Sequence, residues 1–520
     1  MTDEKQKILW VDDEIDLLRP HVIFLESKGY AITTLTNAED AIELIKKEDF
    51  DILLLDEMLH GMDGLSALAE IKEIQPGLPI IMVTKSEEES LMEEAIGSKI
   101  DDYLTKPVNP SQILLVCKKI LDKRKISRQI LSRDYTSEFN KLSMRLMEPL
   151  NWLDWIDIHI TLSQWDVELD EHPDLGLKQI LYDQKRSCNS EFGKYIEKNY
   201  RHWLNSQPRP SLSIDVFPRY VLPHVANGKN TILIILDALR LDQWMVLEPL
   251  LRSYFKISRE YYFSILPTAT PYSRNAIFSG LFPGEIEEKI PELWDSGKEE
   301  DDISRTRFEL ELLEEQLKRL KIQIKPGPKY AKILDSQEAA ELSRKINEYA
   351  NSPLSAIVLN FVDILAHSRS SSNVIKEMIP NEAAFRSATR AWFEHSHIFK
   401  VLRKLAANGN TIVLTSDHGS IRGLHGTKVI GDRETSTSLR YKFGKNIKVN
   451  PKDAMIINHP KEYKLPSRGV NSNYIIAKED YYFVYPTNYH YFLNYYADSF
   501  QHGGISLEEM VLPVITLEPK

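Results

Sequence analysis

Three wholly apolar runs that each stop at an acidic residue constrain this chain more than any other feature. Ile8–Val11 meets Asp12 and Asp13, Ile52–Leu55 meets Asp56, and Ile232–Leu236 meets Asp237. A strand without polar alternation is buried on both faces, which calls for a parallel sheet covered by helices. Polar chemistry then gathers at the carboxyl edge of that sheet. Residues 1–122 hold the first such series, with strands expected at Ile8–Val11, Ile52–Leu55 and Ile80–Val83. Helices are expected between and after them at Ala38–Lys47, Gly64–Ile74 and Pro110–Leu121. This rhythm predicts a small, doubly wound α/β domain.

The texture changes over residues 123–207. Leu142, Leu146 and Leu150 recur at helical spacing, and Pro149, Pro173, Pro208 and Pro210 punctuate the stretch. It reads as a helical linker domain, growing from the preceding helix through Lys118–Ser132, with Trp152, Trp155 and Trp165 as packing anchors. Residues 208–520 return to an α/β pattern, with strands expected at Thr231–Leu236, Ala356–Phe361 and Thr411–Thr415. Helices are expected at Pro271–Ser279, Ser304–Leu320 and Glu382–Ala407, the last stopped by Asn408-Gly409. Ser304–Leu320 reads as a charged insertion with Leu310, Leu313, Leu317 and Leu320 on one face, and the aromatic tract Tyr481–Tyr496 as sheet core rather than a base-stacking surface.

Composition narrows the function classes. A length of 520 residues suggests about three domains. With 65 basic against 76 acidic residues, net −11, the charge argues against a duplex-DNA binder living on bulk phosphate attraction and leaves room only for a local basic cleft. Cys117 and Cys188 are the only cysteines, too few for a disulfide framework or a thiolate zinc cluster. The amino-terminal residues are polar, and no apolar run approaches membrane-spanning length. The expectation is a soluble, cytoplasmic protein with no membrane association.

Asp12, Asp13 and Asp56 lie at strand ends, Thr84 ends the next strand, and Lys106 follows Tyr103-Leu104. Three clustered carboxylates repel unless a hard cation joins them, which suits Mg²⁺. Asp56 is then placed to attack a phosphoryl donor, with Lys106 and Thr84 meeting the phosphoryl oxygens. These residues, with the segment Asp56–Leu65, resemble the response-regulator receiver family over residues 1–122. That resemblance implies a flavodoxin-like fold, Mg²⁺ on Asp12, Asp13 and Asp56, and phosphorylation of Asp56 by a sensor histidine kinase. It also implies a switch through Thr84 and Tyr103. His60 stands where the family usually has Pro, and Lys85 where it usually has a small residue.

The second α/β series carries a second constellation. Asp237, the Asp363/His367 pair and the Asp417/His418 pair each follow an apolar run; Thr268 and Thr270 precede a helix; His502 sits near the end of the chain. Such mixed oxygen and nitrogen ligands favour Zn²⁺ or Mn²⁺, and two such ions can clamp an in-line displacement at phosphorus. The pattern resembles the PglZ-type branch of the alkaline phosphatase superfamily over about residues 211–520. The resemblance implies one ion on Asp237, Thr270, Asp417 and His418, and a second on Asp363, His367 and His502, with Thr270 as nucleophile. Ser273 stands where a related branch often has Asn. His395 and His397 point to different helix faces and are not read as a metal site.

Together, a receiver, a helical linker and a PglZ-type domain resemble a family of response regulators tied to type IX secretion. The family implies a zinc-dependent phosphodiesterase acting on nucleotides or oligonucleotides, and a phosphorylation-favoured homodimer. A sigma factor or a secretion component is a candidate partner, above all under the alternative reading. The alternative is a transcriptional or secretion regulator that does not bind DNA and uses its PglZ domain only to bind partners.

Overall fold

The structure, a computed structural model, describes residues 5–85, 100–294, 305–431, 438–467 and 472–520. The chain divides into two compact units, residues 1–136 and 137–520. In the first, five strands, β1 (Lys7–Val11), β2 (Ala31–Leu35), β3 (Ile52–Asp56), β4 (Ile80–Thr84) and β5 (Asp102–Thr105), form a parallel sheet in the order β2-β1-β3-β4-β5. The apolar runs serve both faces. Ile8, Trp10, Ile52 and Leu54 enter one core, while Leu9, Val11, Leu53 and Leu55 enter the other. Helices start where a side chain satisfies the free amides of the first turn: Asn37 caps Ala38–Ile45, and Asp63 caps Gly64–Ile74. Gly64 is required there, because a Cβ would stand 2.2 Å from the Asp56 carbonyl oxygen. The helix expected at Pro110–Leu121 runs on to Arg145.

The second unit opens with the helices Trp152–Glu168 and Lys178–Trp203. Trp155 is buried as an anchor, while Trp152 and Trp165 are half-buried. Beyond them β6 (Thr231–Leu236), β7 (Phe255–Phe263), β8 (Lys329–Ile333), β9 (Leu354–Leu359), β10 (Thr411–Thr415) and the C-terminal strand Val511–Pro519 form a six-stranded sheet. Its order is β7, Val511–Pro519, β10, β6, β9, β8. β10, β6 and β9 are parallel and level, with Thr231 paired to both Thr411 and Leu354. The antiparallel pairing of β7 with Val511–Pro519 was not expected from the sequence. The reason lies in the chemistry of β7: Lys256, Ser258 and Glu260 lie exposed along it, so it lacks the wholly apolar run of a two-faced strand.

Four expectations are corrected. The strand expected at Ala356–Phe361 is Leu354–Leu359, and Phe361 begins the next helix. The helix expected over Glu382–Ala407 is two helices, Glu382–His395 and His397–Ala407, because the extended Ser396 caps the second through its side chain. His395 and His397 therefore sit at a helix end and a helix start. In the helix Glu309–Arg319 the buried face is Glu309, Leu312, Leu313, Gln316 and Leu317, whereas Leu320 is exposed; the expected start at Ser304 lies outside the described residues. The aromatic tract splits: Tyr482 to Val484 are buried in a strand, but the helix Tyr489–Tyr496 buries none of its residues. Among the described residues, no helix is long and apolar enough to cross a membrane.

A buried ion network joins the linker helices to the larger sheet. Arg386 donates to Asp166, Asp170 and Asp242, Lys185 meets Asp166 and Glu508, and Arg240 donates to Asp242. His159, buried in the same region, has no hydrogen-bond partner at Nε2. Burial pushes its imidazole down to about 4. The unfolded chain then binds one more proton than the folded one between pH 4 and about 6.5, so stability falls as the pH drops through that window. The loss attributable to His159 is about 1.4 kcal/mol per pH unit. Urea unfolding of wild type and His159→Gln at pH 7, 6 and 5 checks this: the variant is expected to lose less stability on acidification.

Candidate metal centres

In the first unit the strand ends bring Asp12, Asp13 and Asp56 together, each offering an oxygen within 4.8 Å of the others. Lys106 Nζ donates to Asp56 Oδ2 at 2.7 Å and lies 2.9 Å from Asp12 Oδ2. Burial pushes the Asp56 carboxyl up, and Lys106 offsets part of that rise. The cluster has more buried negative charge than one ammonium neutralises, which fits a divalent cation. The two departures from the receiver pattern also touch this rim: His60 Nδ1 lies 2.6 Å from Asp13 Oδ2, and Lys85 Nζ lies 3.7 Å from Glu14 Oε2. Thr84 donates its hydroxyl to the Glu57 carboxylate, and Tyr103 is 40% exposed.

In the second unit, the level ends of β6, β9 and β10 gather the other constellation. Asp237 follows β6 directly, the helix Phe361–Ser371 after β9 carries Asp363 and His367 one turn apart, and Asp417-His418 follow β10. His502 arrives from the short strand Ser499–Gln501, which pairs with Ile421–Gly423. Two groups result, Asp237–Asp417–His418 and Asp363–His367–His502, each with ligand atoms within 4.8 Å of one another. The groups adjoin: the His418 and His502 rings stack with centroids 4.2 Å apart. His367 Nε2 and His502 Nε2 face each other at 3.4 Å.

The donor set fits divalent cations. Asp237 Oδ1 and Asp417 Oδ1 are buried without a hydrogen-bond partner, an expensive state that a cation relieves, while Asp363 Oδ1 has His367 Nε2 at 3.3 Å. Burial pushes the Asp237 carboxyl well up despite Arg274 beside it. Burial acts on Asp363 in the same sense, but His367 and His502 hold its carboxyl well below the ordinary range. His418 Nδ1 lies 3.0 Å from the Gly419 carbonyl, so Nδ1 carries the proton and Nε2 faces the site as an acceptor. Gly419 is needed because a Cβ there would stand 1.9 Å from the Glu508 carbonyl oxygen.

The two candidate threonines separate cleanly. Thr268 donates its hydroxyl to the Gly504 carbonyl at 2.7 Å, whereas Thr270 Oγ1 lies 3.0 Å from His418 Nε2. Ser273 is turned away, 2.8 Å from Ser264 Oγ in the interior. Sequence reasoning missed three residues. Asn360 Nδ2 donates to Asp237 Oδ2 at 2.7 Å. Arg274 reaches both Asp237 and Asp417, and Glu309 lies behind it. The only sequence signal was the position of Arg274, four residues after Thr270 and hence on the same helix face.

The fold and both clusters define a response regulator whose second unit is built as a phosphatase-like domain. The family described as BREX system PglZ alkaline phosphatase-like domain matches residues 216–517, and the chain belongs to it. A response regulator receiver domain matches residues 8–118, and a PorX response regulator linker domain matches 125–204, which completes a PorX-like architecture. The chain is 36% identical over 115 residues to the transcriptional regulatory protein ResD of Bacillus subtilis, covering 22% of this chain and 48% of that one. It is 33% identical over 129 residues to the alginate biosynthesis transcriptional regulatory protein AlgB of Pseudomonas syringae, covering 25% and 29%. The chain thus spans less than half the length of either relative. A solved receiver domain protein from Methanospirillum hungatei is 30% identical, covering 24% of this chain and 99% of that one at a TM-score of 0.23. A two-component response regulator from Clostridium difficile is 32% identical, covering 23% and 98% at 0.22.

A receiver domain implies a phosphorylating kinase partner, and Asp56 is one of the two carboxylates beside Lys106. Asp56→Asn is expected to abolish the phosphoryl adduct formed with a small phosphodonor and Mg²⁺, because an amide is a poor nucleophile. Intact mass measures this directly; an adduct on the variant refutes the assignment.

Proposed function

We propose that this chain is a response regulator whose output is zinc-dependent hydrolysis of phosphodiesters, on nucleotide or oligonucleotide substrates, in the control of type IX secretion. The observation that carries the hydrolytic reading is the contact of Thr270 Oγ1 with His418 Nε2 at the meeting point of two metal-ligand groups. The substrate class and the link to secretion rest on the family resemblance, which the PglZ and PorX linker matches support.

In this reading Asp237, Asp417, His418 and Thr270 would hold one Zn²⁺, and Asp363, His367 and His502 would hold the other. The ions, when bound, supply the positive charge that lowers the pKa of the Thr270 hydroxyl and neutralises the phosphoryl oxygens. Thr270 stands at the amino end of its helix, where backbone amides favour an anion. The Gly419 carbonyl fixes the His418 imidazole with Nε2, the atom that would hold the ion, 3.0 Å from Thr270 Oγ1, so the hydroxyl proton leaves to water and ends on the departing alcohol. The Thr270 oxygen forms a bond to phosphorus as the bond to the leaving alcohol breaks, and water then releases the phosphoryl group from Thr270. His367, which is about half exposed at 49%, places the second group toward solvent.

Thr270→Ala is expected to lower hydrolysis of a nitrophenyl phosphodiester on the order of 10³-fold or more, since the nucleophile is lost. Asp417→Ala and His367→Ala are each expected to remove mainly one ion, read by elemental analysis of the purified full chain. Failure of the wild-type protein to hold or take up Zn²⁺ or Mn²⁺ refutes the hydrolase reading and favours a partner-binding role.

The receiver controls this output through a homodimer in the same proposal. Tyr103 and Leu115 leave apolar surface exposed on the first unit, at 40% and 68%. Beryllofluoride with Mg²⁺, mimicking the phosphoryl group on Asp56, is expected to raise the dimer fraction by a population shift. Light scattering across a concentration series measures it, and Asp56→Ala is expected to prevent the rise.

A further inference from the structure

Arg274 lies one helical turn after Thr270 on the helix Thr270–Ser279 and is fully buried. A guanidinium is retained in such a place only where carboxylates match it. Its Nε donates to Asp417 Oδ2 at 2.9 Å, and its Nη2 contacts Asp237 Oδ2. One side chain therefore ties the Thr270 helix to the ends of β10 and β6. On the far side, Arg274 Nη1 lies 3.6 Å from Glu309 Oε1. Glu309 is itself held, since Tyr330 donates its hydroxyl to Oε2 and Lys332 Nζ lies 3.8 Å away.

The two aspartates are held alike. Each meets Arg274 through Oδ2, Asp417 by the hydrogen bond from Nε and Asp237 by the ion-pair contact with Nη2, and Asn360 donates a hydrogen bond to Asp237. Each leaves Oδ1 buried without a hydrogen-bond partner. A carboxylate free to turn offers either oxygen, or both, to a cation; a carboxylate pinned through one oxygen offers the other alone. Partners that fix a ligand in this way commonly govern affinity nearly as much as the ligand does.

We propose that Arg274 is the positioning residue of the Asp237–Asp417–His418 centre, its planar fork holding one oxygen of each aspartate so that the other is presented to a divalent cation. The inference rests on the metal-dependent reading above. It assigns a role to the fork and not to charge alone, because a lysine ammonium is a point charge that cannot bond both carboxylates in one plane.

The test uses Zn²⁺ alone, titrated into the metal-stripped full chain against a chromogenic chelator. Wild type is expected to take up two ions. Arg274→Lys is expected to bind one of them about 10–100-fold more weakly and the other unchanged. Arg274→Met is expected to be at least as weak at that ion. Thermal unfolding in saturating Zn²⁺ reports whether each variant keeps its fold, and the charge-preserving lysine variant decides if the methionine variant does not. Wild-type affinity for both ions in Arg274→Lys overturns the inference. So does tighter binding in Arg274→Met, which makes the guanidinium a competitor of the ion. Absence of Zn²⁺ uptake by wild type instead removes the hydrolase reading itself, so the two failures are distinguishable.

Discussion

Carboxylates buried at the ends of parallel strands are the constraint on which both sites depend. A sheet covered on both faces has room for polar groups only at its edges, and the carboxyl edge collects them at the loops. Desolvation then raises the cost of each ionised acid. Both units meet that cost in the same way, with one internal cation spanning two acids: Lys106 between Asp12 and Asp56, and Arg274 between Asp237 and Asp417. In neither case does one positive charge balance the cluster. The carboxyls of Asp56 and Asp237 both stay pushed up by burial. The residual negative charge is what makes each edge a candidate site for a further cation.

Much of this was legible because the strands that build the edges carry their own signal. Ile52–Leu55 and Ile232–Leu236 are two-faced strands whose next residue is the acid, so the position of Asp56 and Asp237 followed from periodicity alone. Thr268 and Thr270 both stood before a helix, and only the family resemblance favoured Thr270; the structure gives the two hydroxyls different partners. What stayed hidden involves pairs that no period encodes. Arg274 and Glu309 are 35 positions apart and meet only when their two helices pack. Glu309 looked like one more acid of a charged insertion, yet it is buried with Leu312 and Leu313. The helix break at Ser396 was missed because a single serine cap interrupts an otherwise continuous apolar spacing. β7 was missed because its exposed Lys256 and Glu260 disguise an edge strand that burial on one side suffices to hold.

The linker helices are fastened to the larger sheet by charge as well as by apolar packing. Asp166 receives Arg386, Lys178 and Lys185, and Glu508 receives Lys185 and Asn189. Such a network adds little net stability over an apolar seam, but removing one member leaves a buried charge uncompensated, at a cost of about 3–5 kcal/mol. It therefore fixes which face of the helices meets the sheet. Glu508 belongs to the same turn as Glu509, whose backbone carbonyl accepts the Gly419 amide just after His418. The linker is in this way one short step of chain from the metal-ligand edge.

The level pairing of β10, β6 and β9 has a consequence for how such a chain can change length. Thr231, Thr411 and Leu354 share one rung, so the residues that emerge from the far end do so at one height. An extra residue inside β6 would turn Asp237 toward the opposite face and break its match with Asn360 and Arg274. An extra residue in an exposed connection that carries no ligand would leave the ligands where they are. Residues 325–327, exposed between the helix Glu309–Arg319 and β8, are such a connection and are free to grow, whereas the helix is not replaceable because it carries Glu309. The strands have only the lengths that the edge allows, and tags or grafted domains belong in the connections.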